Sequence, residues 1–259
     1  MLGPDVTSAS ASLQAGVTAV SVVTNYAQAS LTAVPRVSQP PDWFAPIAKD
    51  LLTAQGHAQG WIKTICPAVS SGLPKGIASF NHLFQSSARQ IIAAQDAILA
   101  AGGTPTAAQR AQVGSLIDAL ATALAAQQSS LAVIGENFLQ STQLGPCTAI
   151  VMIDMNISLL IGGVNADPTV VTLVLAQAIV QNQLTNAPAA EQAVQAIVDF
   201  WGTLAAKTKA VATDLSNAAD NQYLTILSQI DIKVAQTQWQ QLADFAATLN
   251  HPANHPASG

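Results

Sequence analysis

Apolar residues recur at alternating steps of three and four along four long stretches of this chain, and one stretch keeps its phase from residue 44 to residue 98. This spacing places apolar side chains on one face of an α-helix, which then packs against other helices along its length. At about 1.5 Å per residue, the longest of these helices would approach about 90 Å. The sequence therefore predicts an all-α fold, an elongated antiparallel bundle of four to five long helices.

Prolines indicate where the first predicted helix ends and where the second begins. The first stripe runs from Leu13 to Val34 and ends at Pro35, and Pro40-Pro41-Asp42 then provides a stop followed by a helix N-cap. The second stripe includes Ile62 and ends near Gly102-Gly103.

Four helix-disfavouring residues, Pro67, Gly72, Pro74 and Gly76, interrupt the second stripe. A proline inside a helix removes a hydrogen bond and kinks or breaks the helix. Because the apolar phase survives these residues, we favour one kinked long helix over two independent helices. The alternative is a compact bundle of six or seven helices, in which the long helices fold back at residues 67–74 and near Gly202 or Asn217.

The third and fourth helices are predicted from the same spacing. The third stripe includes Val113, Ile117, Leu120 and Leu124, and the fourth includes Val234. The third begins at Thr104-Pro105 and closes at Gly145-Pro146, and the fourth opens around Asn186-Ala187-Pro188 and stops before His251-Pro252. This organisation assigns residues 1–147 and 183–250 to a helical bundle that serves as a tail domain, residues 148–182 to a hydrophobic head hairpin, and residues 251–259 to a disordered tail.

The head hairpin contains the most apolar run of the chain. Apolar residues of its first arm alternate with Asp154, Asn156 and Ser158, which is the period of an extended strand and allows a β-tongue. In the second arm, Asp167-Pro168 favours a helix start whereas the valines that follow favour a strand. Both conformations stay open, and the candidate insertion residues are Val151, Ile153, Met155, Ile157, Leu159, Leu160, Val170, Val171, Leu173 and Leu175.

The first arm is too short for a transmembrane helix, which needs about 20 apolar residues, and it carries Asp154 and Asn156. Two interpretations of the head remain. It either folds against the bundle as an ordinary buried flap or is sheltered in water and leaves the bundle to enter a bilayer or a partner subunit.

Charged residues are scarce in this chain, and their scarcity excludes several functions. Charged residues make up 9% of the sequence, the formal net charge is -5, and no run of Lys or Arg occurs. Nucleic acid and anionic membrane surfaces are therefore not favoured partners. The sequence also lacks paired catalytic carboxylates and the common nucleophile, phosphate-loop and metal-protease motifs, so we expect neither enzyme activity nor a metal or cofactor.

The two cysteines, Cys66 and Cys147, lie at similar distances on either side of Gly103. Antiparallel second and third helices would bring them to similar heights, which allows either a disulfide or two buried free thiols. The N-terminal residues do not have the pattern of a secretory signal. Cytoplasmic residence, export without a leader and a mature form whose leader was removed all stay open.

The order of these parts resembles the cytolysin A and haemolysin BL superfamily of α-helical pore-forming toxins. The sequence LLTAQGHAQGWIKTICPAV, residues 51–69, is similar to the second long helix of the haemolysin BL-like members, and the likeness continues through GGTPTAAQ at residues 102–109. The head is short for that family. The resemblance therefore implies a component of a multi-chain toxin that inserts weakly, assembles with partner chains or uses an amphipathic head.

Two functional hypotheses follow. The first is a soluble subunit of a cytolytic or insecticidal pore-forming toxin, which exposes its apolar hairpin to target-cell lipid, to partner toxin subunits or to further copies of itself. Such a subunit would be cytoplasmic before release, secreted without a recognisable signal peptide and then membrane-associated. The second is a non-enzymatic helical scaffold or hydrophobic-surface-coating protein, for which amphipathic Ala-rich helices suffice.

Overall fold

Helices account for nearly all of the computed structural model, which describes residues 2–32, 44–143 and 168–249. No strand occurs within these ranges, and the predicted all-α bundle of long antiparallel helices is confirmed. The helices are α1 Val6–Thr32, α2 Phe44–Gly60, α3 Leu73–Ala100, α4 Ala107–Gln143, α5 Pro168–Asn217, α6 Asp220–Gln229 and α7 Ile232–Leu249, with π-helical turns at Trp61–Ile65 and Ala68–Gly72 between α2 and α3.

Several predicted features lie outside the described residues and stay predictions. They are the helix boundaries at Pro35, Asp42 and Gly145-Pro146, the first arm of the head with its turn at residues 162–167, Cys147, and the tail at residues 251–259.

The chain is helical without a break from Phe44 to Ala100, so the prediction of one long second helix is confirmed. The π-helical turns have a reason in the sequence, since the buried residues of this section include Trp61, Ile65, Val69, Leu73 and Ile77, at consecutive steps of four. An α-helix has about 3.6 residues per turn, so each step of four would rotate the apolar stripe by about 40°. Wider i→i+5 turns remove this drift and keep the stripe on one face.

The turn between α3 and α4 is set by glycine and by a capping box. Gly102 and Gly103 have φ values of 93° and 89°, and their N–H groups donate to the carbonyls of Leu99 and Ile98 at 3.1 and 2.9 Å. This is a Schellman motif, which requires a left-handed residue after the helix. The start of α4 differs from the prediction at Thr104-Pro105.

Thr106 is the residue that caps α4. Its Oγ1 accepts the Gln109 N–H at 3.2 Å, and Gln109 Oε1 accepts the Thr106 N–H at 2.8 Å. These reciprocal bonds satisfy two of the backbone donors that a helix start leaves unpaired.

The predicted start of the fourth helix and its continuity are wrong, whereas its predicted end before His251-Pro252 agrees with the end of α7 at Leu249. α5 begins at Pro168 rather than at Asn186, and it ends at Asn217. The chain then reverses, as shown by the stacking of Trp201 of α5 with Trp239 of α7, whose ring centroids are 5.9 Å apart. The alternative of a fold-back near Asn217 is therefore confirmed, whereas residues 67–74 and Gly202 remain within helices.

A second break in the helix follows α6 and changes which residues of the predicted stripe are buried. Asp231 has a φ of 49° and separates α6 from α7, and Asp231 Oδ1 accepts the Val234 N–H at 3.3 Å. Val234, which the stripe placed in the interior, is 40% exposed, and Ala235 and Trp239 are buried instead.

The described residues divide into two compact units. Unit 1 contains residues 2–14, 71–132 and 196–249, and unit 2 contains residues 15–32, 44–70, 133–143 and 168–195. The centre of unit 1 is an aromatic cluster, in which the Phe80 ring lies 4.4 Å from Trp239 and 5.9 Å from Trp201 between centroids. The Trp239 Nε1 donates to the Leu2 carbonyl at 3.1 Å, which attaches the start of the chain to this cluster.

Side-chain amides join α3 to α7 in unit 1. Asn81 Nδ2 donates to Gln240 Oε1 at 3.0 Å, and Gln85 Nε2 donates to the Gln236 carbonyl at 2.8 Å. Gln236 Nε2 in turn donates to Gln85 Oε1 at 3.2 Å. The pairing of 81 with 240 and of 85 with 236 makes the two helices antiparallel. In this nearly uncharged chain, neutral amides supply the specific polar contacts of the interface.

Candidate functional site

The candidate insertion residues fall into two groups. Val151, Ile153, Met155, Ile157, Leu159 and Leu160 lie outside the described residues, so the β-tongue stays a prediction. Val170, Val171, Leu173 and Leu175 lie in the first turns of α5. The conflict between capping and strand propensity in the second arm is therefore decided in favour of the helix. A proline at the first position agrees with this, because its missing N–H has no helical partner there and its φ is already helical.

α5 links the predicted head to the bundle without interruption. Its 50 residues pass through Pro188, which is exposed, and reach Asn217. The second arm and the predicted fourth helix are one helix, although a proline inside a helix costs about 3 kcal/mol in an isolated context. The division into head and tail domains at residue 183 stays a prediction.

α1, α2 and α5 meet in the core of unit 2. The buried side chains of this cluster are mostly β-branched or small, with one large aromatic side chain. They are Val20, Val23, Ala27, Ala58, Trp61, Ile65, Val69, Ala190 and Val194. We call this set the valine cluster, and it holds the part of α5 closest in sequence to the predicted head.

One directed hydrogen bond joins α1 to the π-helical turn beside the valine cluster. Trp61 Nε1 donates to Thr24 Oγ1 at 2.9 Å, and the Thr24 hydroxyl donates to the Val20 carbonyl at 2.7 Å. Both side chains are buried. Because a buried indole N–H needs a partner, this bond sets which face of α1 contacts the π-helical turn.

Trp61 is the buried residue that the apolar spacing did not identify. The apolar stripe assigned Ile62 to the interior, whereas Ile62 is half-buried and Trp61 is 6% exposed. The consecutive steps of four from Trp61 to Ile77 were the available signal, because only a widened helix keeps such residues on one face.

Charge is scarce around the predicted head and absent from α1. Between Glu136 and Glu191 only Asp154 and Asp167 carry charge, and α1 contains no charged residue. In the described part of the chain, the segments Val6–Ala29 and Ala107–Val133 are long and apolar enough to cross a membrane. The core helices of soluble proteins meet the same criterion.

Cys66 lies at the C-terminal end of the first π-helical turn and is half-buried beside the valine cluster. Its N–H donates to the Trp61 carbonyl, as an i→i+5 turn requires. Since Cys147 lies outside the described residues, the disulfide between the two cysteines stays a prediction.

Comparison with known proteins identifies the fold. The Bacillus cereus HblL1 toxin component superposes with a TM-score of 0.65 at 12% identity, covering 97% of this chain and 98% of that chain. The cytotoxin MakB from Vibrio cholerae gives 0.65 at 14%, covering 97% and 94%. Soluble SmhB of the tripartite α-pore-forming toxin Smh from Serratia marcescens gives 0.63 at 11%, covering 95% and 97%.

No protein-family model matches the sequence, and no curated protein matches it by sequence. At identities of 11–14% the three structures establish a shared fold. The chain therefore has the fold of these helical toxin components along nearly its whole length.

Proposed function

We propose that this protein is a non-enzymatic component of an α-helical pore-forming toxin. The observation that carries the proposal is the coverage of the fold likeness, which spans at least 94% of each of three toxin proteins and at least 95% of this chain.

The head segment, residues 148–182, is the part proposed to contact membrane lipid or partner subunits. Its sequence supports this role, because the surrounding stretch from Glu136 to Glu191 carries only two charges. Transfer of each apolar side chain from water contributes roughly 1.5–3 kcal/mol, so a small set of them suffices to drive insertion or assembly. Val151, Ile153, Met155, Ile157, Leu159 and Leu160, with Val170, Val171, Leu173 and Leu175 of α5, are the proposed contact residues.

Assembly with other chains is part of the proposal. SmhB is described as part of a tripartite toxin, and the short head of the present chain agrees with a component that acts together with partner subunits. We infer that the protein is secreted in a water-soluble form and becomes membrane-associated when it assembles.

Dye release from liposomes tests this function. The purified chain is measured alone and mixed with the products of neighbouring genes, and the variants Ile153→Asp and Ile157→Asp are compared with Val234→Asp. Val234 is exposed near the start of α7, where a negative charge is tolerated by the helix dipole, so this control adds the same charge outside the head.

We expect both head variants to keep their helical circular dichroism and thermal transition but to lose dye release by at least about tenfold. Burial of an uncompensated charge costs more than the roughly 1.4 kcal/mol that corresponds to a factor of ten. Val234→Asp should release dye as the wild type does. Loss of folding in the head variants would identify residues 148–182 as a buried flap. Vesicle binding without release under either condition would favour the surface-coating function.

A further inference from the structure

Residues 58–77 carry two overlapping apolar stripes, and the structure uses one of them. Two π-helical turns bring Trp61 and Ile65 onto the buried face of the helix, together with Ile77. Ile62, the neighbour of Trp61, is half-buried and packs against the valine cluster. The sequence therefore supplies one apolar side chain for the interior in the π-helical register and another for a regular α-helix.

The second stripe belongs to the regular α-helix. At about 100° per residue, an uninterrupted α-helix would place Ile62 about 60° from Ile77 around the helix axis and Trp61 about 160° from it. Ile62 would then lie on the buried face and Trp61 on the outer side. Conversion of the two π-helical turns to α-helix therefore exchanges Trp61 for Ile62 in the interior, and it rotates α2 about its axis relative to α3.

The π-helical register is held by contacts with another helix. Turns of this kind are rare inside α-helices and are found mostly at functional sites. Here the Trp61 indole is 6% exposed, and its Nε1 donates to Thr24 Oγ1 of α1 at 2.9 Å. A regular α-helix would break this hydrogen bond, because it would carry Trp61 away from the valine cluster.

Pro67 opposes the regular α-helix from within the section. It is exposed and lies between the two π-helical turns. In a regular α-helix its ring would press against the carbonyl of Lys63, four residues earlier. The rarity of π-helical turns and the clash of the proline ring thus act in opposite directions. Two registers with opposing costs are what a bistable element requires.

We propose that residues 61–72 form a conformational switch between these two registers, and that the hydrogen bond from Trp61 to Thr24 holds it closed. In the closed state the indole belongs to the cluster that contains Ala190 and Val194 of α5. In the open state the smaller Ile62 replaces it, so α5 is held less tightly. Release of the head-proximal part of α5 by this step rests on the proposed function, whereas the switch itself needs no lipid.

Exchange of the Trp61 indole N–H with deuterium oxide tests the proposal by NMR on the full chain. The resonance is assigned by its loss in Trp61→Phe. When closing is faster than chemical exchange, the exchange rate is proportional to the population of the open state. Ile62→Gln places an amide where the open state buries an apolar side chain, whereas in the closed state this residue is half-buried and the amide reaches water. Leu52→Gln, at a 63% exposed position of α2, is the matched control.

We expect Ile62→Gln to slow exchange of the Trp61 N–H by about tenfold, because burial of an unpaired amide disfavours the open state. Leu52→Gln should exchange at the wild-type rate. Thr24→Val keeps the shape of the side chain and removes the acceptor, so it should accelerate exchange by about tenfold. Ile62→Gln added to Thr24→Val should slow the exchange again. The indole N–H groups of Trp201 and Trp239 should exchange as in the wild type in every variant, which verifies that unit 1 stays folded.

Faster exchange of the Trp61 N–H in Ile62→Gln than in the wild type would overturn the proposal. Loss of an apolar contact would then simply promote local unfolding of unit 2, without a second register. An unchanged rate would overturn it as well, because Ile62 would have no part in the open state. These rates are measured without lipid and dye release is measured separately, so failure of the switch is distinguishable from failure of the proposed function.

Discussion

Units 1 and 2 have cores of different kinds. Unit 1 has a core of large aromatic rings, Phe80, Phe84, Trp201 and Trp239, and amide hydrogen bonds between α3 and α7. The described core of unit 2 is the valine cluster, in which Trp61 is the one large aromatic side chain. Several large rings in mutual contact specify one arrangement, whereas small aliphatic side chains repack at lower cost.

The difference indicates where this protein opens first. Local stability follows buried apolar contact, and elements that move are drawn from the less stable parts of a structure. We therefore expect unit 2, which contains the head-proximal section of α5, to open at a lower free energy than unit 1. Such an order would let a pore-forming component rearrange its head while unit 1 stays folded.

The largest expected effect is in the aromatic cluster of unit 1. Trp239→Ala removes a fully buried ring that contacts Phe80 and Trp201 and that donates to the Leu2 carbonyl. The free energy of unfolding should fall by about 3–5 kcal/mol, measured by urea denaturation. Val234→Ala on the same helix, at a 40% exposed position, should change it by less than about 0.5 kcal/mol. Similar effects for the two variants would contradict the assigned core.

A smaller and local effect is expected in the valine cluster. Ile65→Ala removes buried aliphatic contacts and should cost about 2–5 kcal/mol at that site. Hydrogen exchange should accelerate at the amides of residues 58–69 and stay unchanged at those of residues 84–98. Thr64→Ala, exposed in the same π-helical turn, serves as the control. Equal acceleration in both ranges would show that the two units open together.

The amide network of unit 1 gives the next prediction. Gln85→Ala removes the donor to the Gln236 carbonyl and the acceptor of Gln236 Nε2, so the free energy of unfolding should fall by about 1–3 kcal/mol. The loss should be the same at low and high salt, because neutral amides are not screened. Gln241→Ala, exposed on α7, should have little effect. A strong salt dependence would indicate that charge, rather than amide bonding, stabilises the α3–α7 interface.

The smallest expected effect is at the start of α1. The Ser8 N–H donates to Asp5 Oδ1 at 3.1 Å and the Ser8 hydroxyl donates to Oδ2, and these bonds hold the pKa of Asp5 below 3.8. A carboxylate with a depressed pKa stabilises the fold above its unfolded pKa, and the contribution is lost as pH falls through the folded value. Asp5→Ala should therefore lower the melting temperature slightly at pH 7, and the difference should disappear at strongly acidic pH. A difference independent of pH would exclude this cap.

The helical class and most helix interiors were predictable because they depend on local periodicity. The buried residues Val113, Ile117, Leu120 and Leu124 follow the predicted stripe of α4, and the end of α3 follows from Gly102-Gly103. The start of α4 was displaced by two residues, because Thr104 and Thr106 are equally good caps by type. The partner that distinguishes them, Gln109, supports only the second.

The candidate site was predictable in part. The helical state of the second arm could not be derived from residues 168–175, whose valines and proline favour opposite conformations, and it emerges only from the length of α5. The first arm stays a prediction. Trp61 was missed because a fixed helical period assigns its neighbour Ile62 to the interior.

By itself, the sequence determined that the chain forms long, weakly charged amphipathic helices, because the spacing of apolar residues acts over a few turns. The tertiary structure alone decided where these helices reverse and where they widen. The reversal at Ala218-Ala219 depends on Arg110, more than a hundred residues away, and on the stacking of Trp201 with Trp239. Contacts between residues so distant in sequence leave no pattern in the local sequence. A continuous fourth helix and one that folds back near Asn217 are equally compatible with the apolar periodicity, so only the folded chain shows which has the lower free energy.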